Sequence, residues 1–169
     1  MNELIIDRVN KILSHIEGVR NNCEKLGKKL IDLGSVQLGL RLIANGLIHD
    51  NSKFSATEWD NLDHFTGVKE DGDRVKLDLA ISQRNRTNPH HPECWPGGIV
   101  YMPDVYLAEM VCDWASRSAE FGTSLHDWID GGAMERFGYK KNDKTYRKIN
   151  YFVGLLLDKP FRQKKCKPE

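Results

Sequence analysis

Near the start of the chain, Ile5, Val9, Ile12, Ile16, Val19, Cys23, Leu26, Leu30 and Leu33 recur at alternating steps of four and three. That period places all of them on one face of a helix about eight turns long. An apolar stripe of this length must be covered. As a coiled coil it would be short, so the expectation is packing against other helices in a bundle. Gly34 ends the helix.

The remaining segments read as shorter helices. One runs from about Ser35 to Asp50, with Leu38, Leu42, Ile43 and Leu47 as its apolar positions. "SATE" at 55–58 has the form of a capping box, with Ser55 as N-cap and Glu58 reaching back, so a short helix is expected just after Lys53. Another is expected from about Asp73 to Gln83. "NPHHPECWPGG" (88–98) is too rich in proline and glycine for regular structure and reads as a loop between helices. Pro103 suits the first turn of a helix through "DVYLAEMVCDWASRSAEF". Helices over about Leu125–Arg136 and Asn142–Leu157 complete the chain, and "RQKKCKPE" reads as a frayed basic tail. No segment alternates as a strand does. The fold class expected is all-α, a helical bundle of six to seven helices over 1–160 with a tail at 161–169.

Composition narrows the function. With 40% hydrophobic and 29% charged residues in 169, the chain is of the globular class and long enough for one real core. A formal net charge of +1 gives no electrostatic reason to expect binding to duplex nucleic acid or to a membrane. The longest apolar run, "YFVGLLL", is too short to span a bilayer, and "MNEL" does not read as a signal peptide. Cys23, Cys94, Cys112 and Cys166 lack CxxC spacing and read as reduced thiols of a cytoplasmic protein.

The chemistry lies in polar residues on apolar faces. His15 borders the opening stripe, His49-Asp50 closes the second helix, and Asp113 sits in "EMVCDW" on the same helical face as Glu109. Singly, each reads as a hydrogen-bonded core residue. Together they make an ordered set: a His, then a His-Asp pair, then a distant Asp, on three helices.

That order resembles the ligand order of the HD superfamily of metal-dependent phosphohydrolases. "HDNSKF", "NPHHPECW", "EMVCDW" and "ERFGY", with His15-Ile16 and Val19 before them, resemble more narrowly an uncharacterised HD-related family of bacteria and phages over about residues 12–155. The resemblance implies that His15, His49, Asp50 and Asp113 bind the metal: Mn, Co, Fe, Ni or Zn, with Mg open. It implies that Lys53, where several HD branches read HDxGK, meets substrate phosphate as a point charge. Two positions depart from the pattern. Nucleotidase-type relatives tend to carry a carboxylate where Lys53 stands, and relatives of the narrow family often carry a His pair where this chain has Gln83-Arg84.

In an extended backbone His90 and His91 cannot both point the same way. One is expected to face the site, contacting phosphate, protonating the leaving oxygen or ligating a second ion. The other bonds the loop or Glu93. Glu109 or Asp113 would accept the proton of the attacking water. Arg84 and Arg86 either clamp an anion or are solvated. His64 is a weaker candidate for a second ion, and His126-Asp127 reads as a structural helix start.

The leading expectation is a cytoplasmic hydrolase (in the host cytoplasm if phage-encoded) of a small phosphoester, with a nucleotide favoured by superfamily analogy. An HD-type di-iron oxygenase using His64 with His90 or His91, and a non-catalytic metal- or nucleotide-binding module, are the alternatives. Monomer and homo-oligomer both stay open.

Overall fold

The long opening stripe does form one helix. In the computed structural model, which describes residues 2–61 and 71–158, α1 spans Asn2–Asp32, and Val19, Cys23, Leu26 and Leu30 are fully buried along it. Gly34, at φ 85°, reverses the chain into α2 (Val36–Ile48), which returns antiparallel along α1. The pair meets through small residues. A Cβ on Gly27 would sit 2.8 Å from the carbonyl oxygen of Gly39, and one on Gly46 would sit 2.6 Å from Cβ of Cys23.

This contact corrects the sequence reading of α2. Leu42 is buried, but Leu47 is 53% exposed, as is Leu33 at the end of α1 (60%). The buried side of α2 is lined by Gly39, Leu42 and Gly46, because a contact this close leaves no room for leucine at the glycine positions. Of the four apolar positions, Leu42 is buried and Leu38 and Ile43 are half-buried, so apolarity misleads at Leu47 alone.

Beyond α2 lie a 3-10 turn (Asn51–Phe54), the short helix α3 (Ala56–Trp59) and α4 (Asp71–Thr87), which is longer than the 73–83 expected. The capping box is not formed: the Glu58 carboxylate is buried, with Ser52 beside it, and no hydrogen bond returns to Ser55. Instead it lies within electrostatic range of Arg84, Asp50 and Lys53. The proline-rich segment is a loop with short 3-10 turns at Pro92–Cys94 and Gly98–Tyr101. It is pinned by Trp95 Nε1 donating to Pro89 O at 2.8 Å and Asn88 Nδ2 donating to Ser52 Oγ at 2.8 Å.

α5 (Asp104–Phe121) begins just after Pro103 and is buried on nearly every side, from Val105 to Trp114. A helix enclosed all round is the centre of its bundle; α1, α2 and α8 (Lys144–Leu156) all pack on it. The expected helix at 125–136 is broken at Gly131 into α6 (Leu125–Asp130) and α7 (Gly132–Phe137). Tyr139 ties this corner down by donating from its hydroxyl to Ile129 O at 2.7 Å. The architecture is all-α, with no strand among the described residues. Among them, too, no helix is long and apolar enough to cross a membrane. His64 and the tail at 161–169 lie outside the described residues.

Candidate metal centre

Close helix packing builds the site. Gly18, one turn beyond His15 on α1, faces Ser116, one turn beyond Asp113 on α5, where a Cβ would overlap the serine hydroxyl. The backbones approach there, and His15 Nε2 comes to 3.1 Å from Asp113 Oδ1. At the end of α2, His49 is the C-cap and Asp50 adopts a left-handed conformation, φ 53°. Aspartate tolerates that conformation better than most residues. The reversal turns His49 and Asp50 inward together, both essentially unexposed. The pinned loop delivers His90 beside them, its ring centroid 4.2 Å from that of His49.

Three imidazoles and two carboxylates therefore converge. His15 Nε2 and His49 Nε2 each lie 3.7 Å from Asp50 Oδ2; His90 Nε2 lies 3.5 Å from Asp50 Oδ1 and 4.0 Å from Asp113 Oδ2. His15 Nε2, His49 Nε2, His90 Nε2, Asp50 Oδ1 and Asp113 Oδ1 are all buried, and none has a hydrogen-bond partner among the described residues. Unpartnered buried polar atoms are costly and rare. Two donors each about 2.1 Å from a shared ion lie roughly 3–4.2 Å apart, the range seen here. The donor set thus fits one divalent cation, and overlapping triads of these residues, one of them with His91, are close enough to hold one.

The opposite edge of each histidine is braced. Glu120 Oε1 accepts from His15 Nδ1 at 2.6 Å. Glu109 Oε1 accepts from His49 Nδ1 at 2.9 Å and lies 3.2 Å from His90 Nδ1, while its Oε2 accepts from Asn45 Nδ2 at 2.9 Å. An ionised carboxylate only accepts, so each of these Nδ1 atoms carries its hydrogen and each Nε2 is left as the donor to a metal. Burial alone would raise Glu109, but the hydrogen bonds from His49 and His90 bring it down to about 2. Glu109 is therefore the common brace of two histidines, where the sequence reading made it a proton acceptor.

Charge is balanced tightly around Asp50. Burial acts to raise its pKa, yet His90 beside it and the charges of Arg84 and Lys53 hold it well below the usual range. Lys53 Nζ lies 2.6 Å and Arg84 Nη2 2.9 Å from Asp50 Oδ2. Lys53 is only 4% exposed, so in this structure it is a buried partner of Asp50 and not a free cation awaiting phosphate. Burial works against protonation of His90, but the carboxylates of Asp50 and Glu109 on either side of its ring push it up to about 9. His91 is the reverse case: burial, His90 and Arg84 lower it to about 3, and its Nε2 accepts from Arg84 Nε at 2.9 Å.

The four residues drawn from the resemblance as ligands, His15, His49, Asp50 and Asp113, do come together. Of the loop pair, His90 faces the cluster while His91 is held by Arg84. Glu120 was not foreseen, although it stands seven residues after Asp113 on the same face of α5. Exposed His126 and the Ser124–Asp127 cap (Oγ accepting from the amide at 3.2 Å) fit a structural helix start.

Fold and cluster define an all-α protein with a buried, carboxylate-braced His/Asp centre. The chain belongs to the family of unknown function DUF5662, whose match covers residues 5–155. No curated protein and no solved structure matches the chain.

Proposed function

We propose that this protein is a metal-dependent phosphohydrolase of the HD type, acting on a small phosphoester in the cytoplasm. The observation that carries the reading is the convergence of five buried, otherwise unpartnered donor atoms, with each histidine braced from behind by a carboxylate. His15, His49, His90, Asp50 and Asp113 would hold the ion: Mn, Co, Fe, Ni or Zn, or Mg. When bound, such an ion supplies Lewis acidity, lowering the pKa of water and offsetting charge on a phosphoryl group. Asp113 lines an adjacent cavity of about 310 Å³ with His90 and His91; in this reading its carboxylate would orient water there and accept its proton. Glu109 and Glu120 fix the imidazole rings. Arg84 holds His91 neutral and keeps Asp50 ionised.

The hydrolytic step itself rests on the resemblance of His15, His49-Asp50 and Asp113 to the HD ligand order. The oxidative alternative needs a second ion, and the Arg84 hydrogen bond on His91 Nε2 weighs against one there. Elemental analysis of the purified protein, followed by a phosphoester screen with manganese, cobalt and magnesium, tests the reading. A stoichiometric metal with saturable turnover is expected. Metal without hydrolysis of any phosphoester would leave a binding module.

A further inference from the structure

The cavity beside the cluster is chemically uneven. His90, His91 and Asp113 line it together with the aromatic rings of Trp114, Phe121, Trp128 and Phe137. Trp114 meets Trp128 edge to face with ring centroids 5.9 Å apart, and stacks on Phe137 at 5.8 Å and 15°. These rings brace one another along one side of the cavity. The Trp128 indole N–H is buried and meets no acceptor among the described residues. At about 310 Å³, the cavity lies at the lower end of ligand-sized pockets, roughly 300–1,000 Å³. It has room for one ring system and a phosphate but not for a polymer.

Two cations among the described residues line this space, Arg117 and Arg136; Arg136 donates from Nη2 to Glu93 Oε1 at 2.8 Å and lies over the Phe137 ring, whereas Arg117 stands beside Asp113. Lys53 does not line the cavity. Arg117 lines it, with Nε 4.0 Å from Asp113 Oδ1 and Nη1 donating to Glu120 Oε2 at 3.0 Å. Anchored through Nη1 to Glu120, the guanidinium keeps other donors for a phosphoryl group, which it can meet in bidentate fashion.

We infer that this cavity seats a phosphate monoester bearing a flat aromatic ring, with Arg117 rather than Lys53 receiving the phosphoryl group and Trp114, Trp128 and Phe137 receiving the ring. The reaction assigned to that ligand rests on the phosphohydrolase reading; the seat itself does not. In that reaction the oxygen of water bonds to phosphorus and the phosphorus–ester oxygen bond breaks. The leaving oxygen takes a proton, giving inorganic phosphate and the ring-bearing alcohol. The ring is joined to the ester oxygen either directly, as in an aryl phosphate, or through a sugar, as in a nucleoside monophosphate.

Tryptophan fluorescence of the metal-loaded protein, titrated with phenyl phosphate, nucleoside 5′-monophosphates, glycerol phosphate and inorganic phosphate, tests the seat without requiring turnover. Ring-bearing monophosphates should bind at least tenfold more tightly than glycerol phosphate, and the stronger of the two ring classes identifies the linkage. Arg117→Met should weaken every phosphate at least tenfold, with partial rescue by Arg117→Lys. Trp128→Leu should weaken only the ring-bearing ligands, and Trp128→Phe serves if the leucine variant folds poorly by circular dichroism. Equal binding of glycerol phosphate, unchanged affinity in Arg117→Met, or no binding of any ligand would overturn the inference. Arg117-dependent binding without hydrolysis under manganese or cobalt would sustain the seat and sink the hydrolase reading.

Discussion

Replacing Glu120 by alanine measures what the carboxylate behind His15 contributes to the centre. Glu120 Oε1 takes the Nδ1 hydrogen of His15 at 2.6 Å, and the ring then presents Nε2 to Asp113 at 3.1 Å. Burial tends to raise the Glu120 pKa, but the His15 hydrogen bond outweighs it and lowers the value, so the brace is ionised at neutral pH. Removing a partner of this kind typically costs 10–100-fold in metal affinity. The Glu120 side chain is 29% exposed, and water can take over part of its role at Nδ1. The loss should therefore fall near the lower end, about tenfold or ~1.4 kcal/mol. Glu120→Gln keeps the acceptor without the charge and should lose about half of that free energy. Competition titration of the metal-free protein with zinc or manganese against a chromophoric chelator reads the affinity, and circular dichroism checks that α5 is intact. Unchanged affinity in the alanine variant would refute the assignment of His15 as a ligand oriented from behind.

Asp50→Asn, which tolerates the left-handed backbone, should abolish metal uptake and destabilise the metal-free protein by about 3–5 kcal/mol in urea, because Lys53 and Arg84 lose their buried counter-ion; normal metal content would exclude Asp50 as a ligand. Lys53→Met should tighten metal binding about tenfold or more, since a unit charge at ~4 Å is worth roughly 4 kcal/mol even at an effective dielectric of 20; weaker metal binding would contradict the competition for Asp50. Gly27→Ala should lower stability by about 1–3 kcal/mol and loosen metal binding, because the new methyl meets the Gly39 carbonyl and spreads α1, with His15, from α2, with His49; an unshifted thermal midpoint would show that the pair can separate freely. Metal-free protein should be most stable between about pH 4.5 and 6.5. Glu109, depressed to about 2, contributes stability above its unfolded pKa that is lost as pH falls towards 2, and His90, raised to about 9, contributes stability below its unfolded pKa that is lost as pH rises through 9. A midpoint flat from pH 3 to 9 in chelator would count against both.

Much of the bundle was written in local periodicity. The stripe from Val19 to Leu30 is buried because a helix repeats every 3.6 residues whatever surrounds it, and "EMVCDW" lies in a helix enclosed on nearly all sides. The same rule failed at Leu47, where the close approach of Gly27 to Gly39 decided which face of α2 points inward. It also failed at Glu58, whose spacing from Ser55 matches a cap but whose carboxylate is drawn into the charged surroundings of Asp50. Gly131 split a helix that the apolar pattern alone would have continued.

The candidate ligands divide in the same way. The residue types of a candidate metal centre were visible in the sequence: His15 beside a buried stripe, His49-Asp50 at a helix end, Asp113 inside a buried helix. Which side chains do what was not, because hydrogen-bond partners distant in sequence assign the roles. Glu120 reaches His15 across 105 positions and Glu109 reaches His49 across 60. Arg84 reaches Asp50 across 34. By itself the sequence determined the helices and the chemical types that could gather; only the packing of α1, α2, α5 and the histidine loop decided that Glu109 braces, Lys53 is paired and Arg117 faces the cavity. Helical periodicity is a property of neighbouring residues, whereas a ligand's orientation is a property of whatever lies behind it in space.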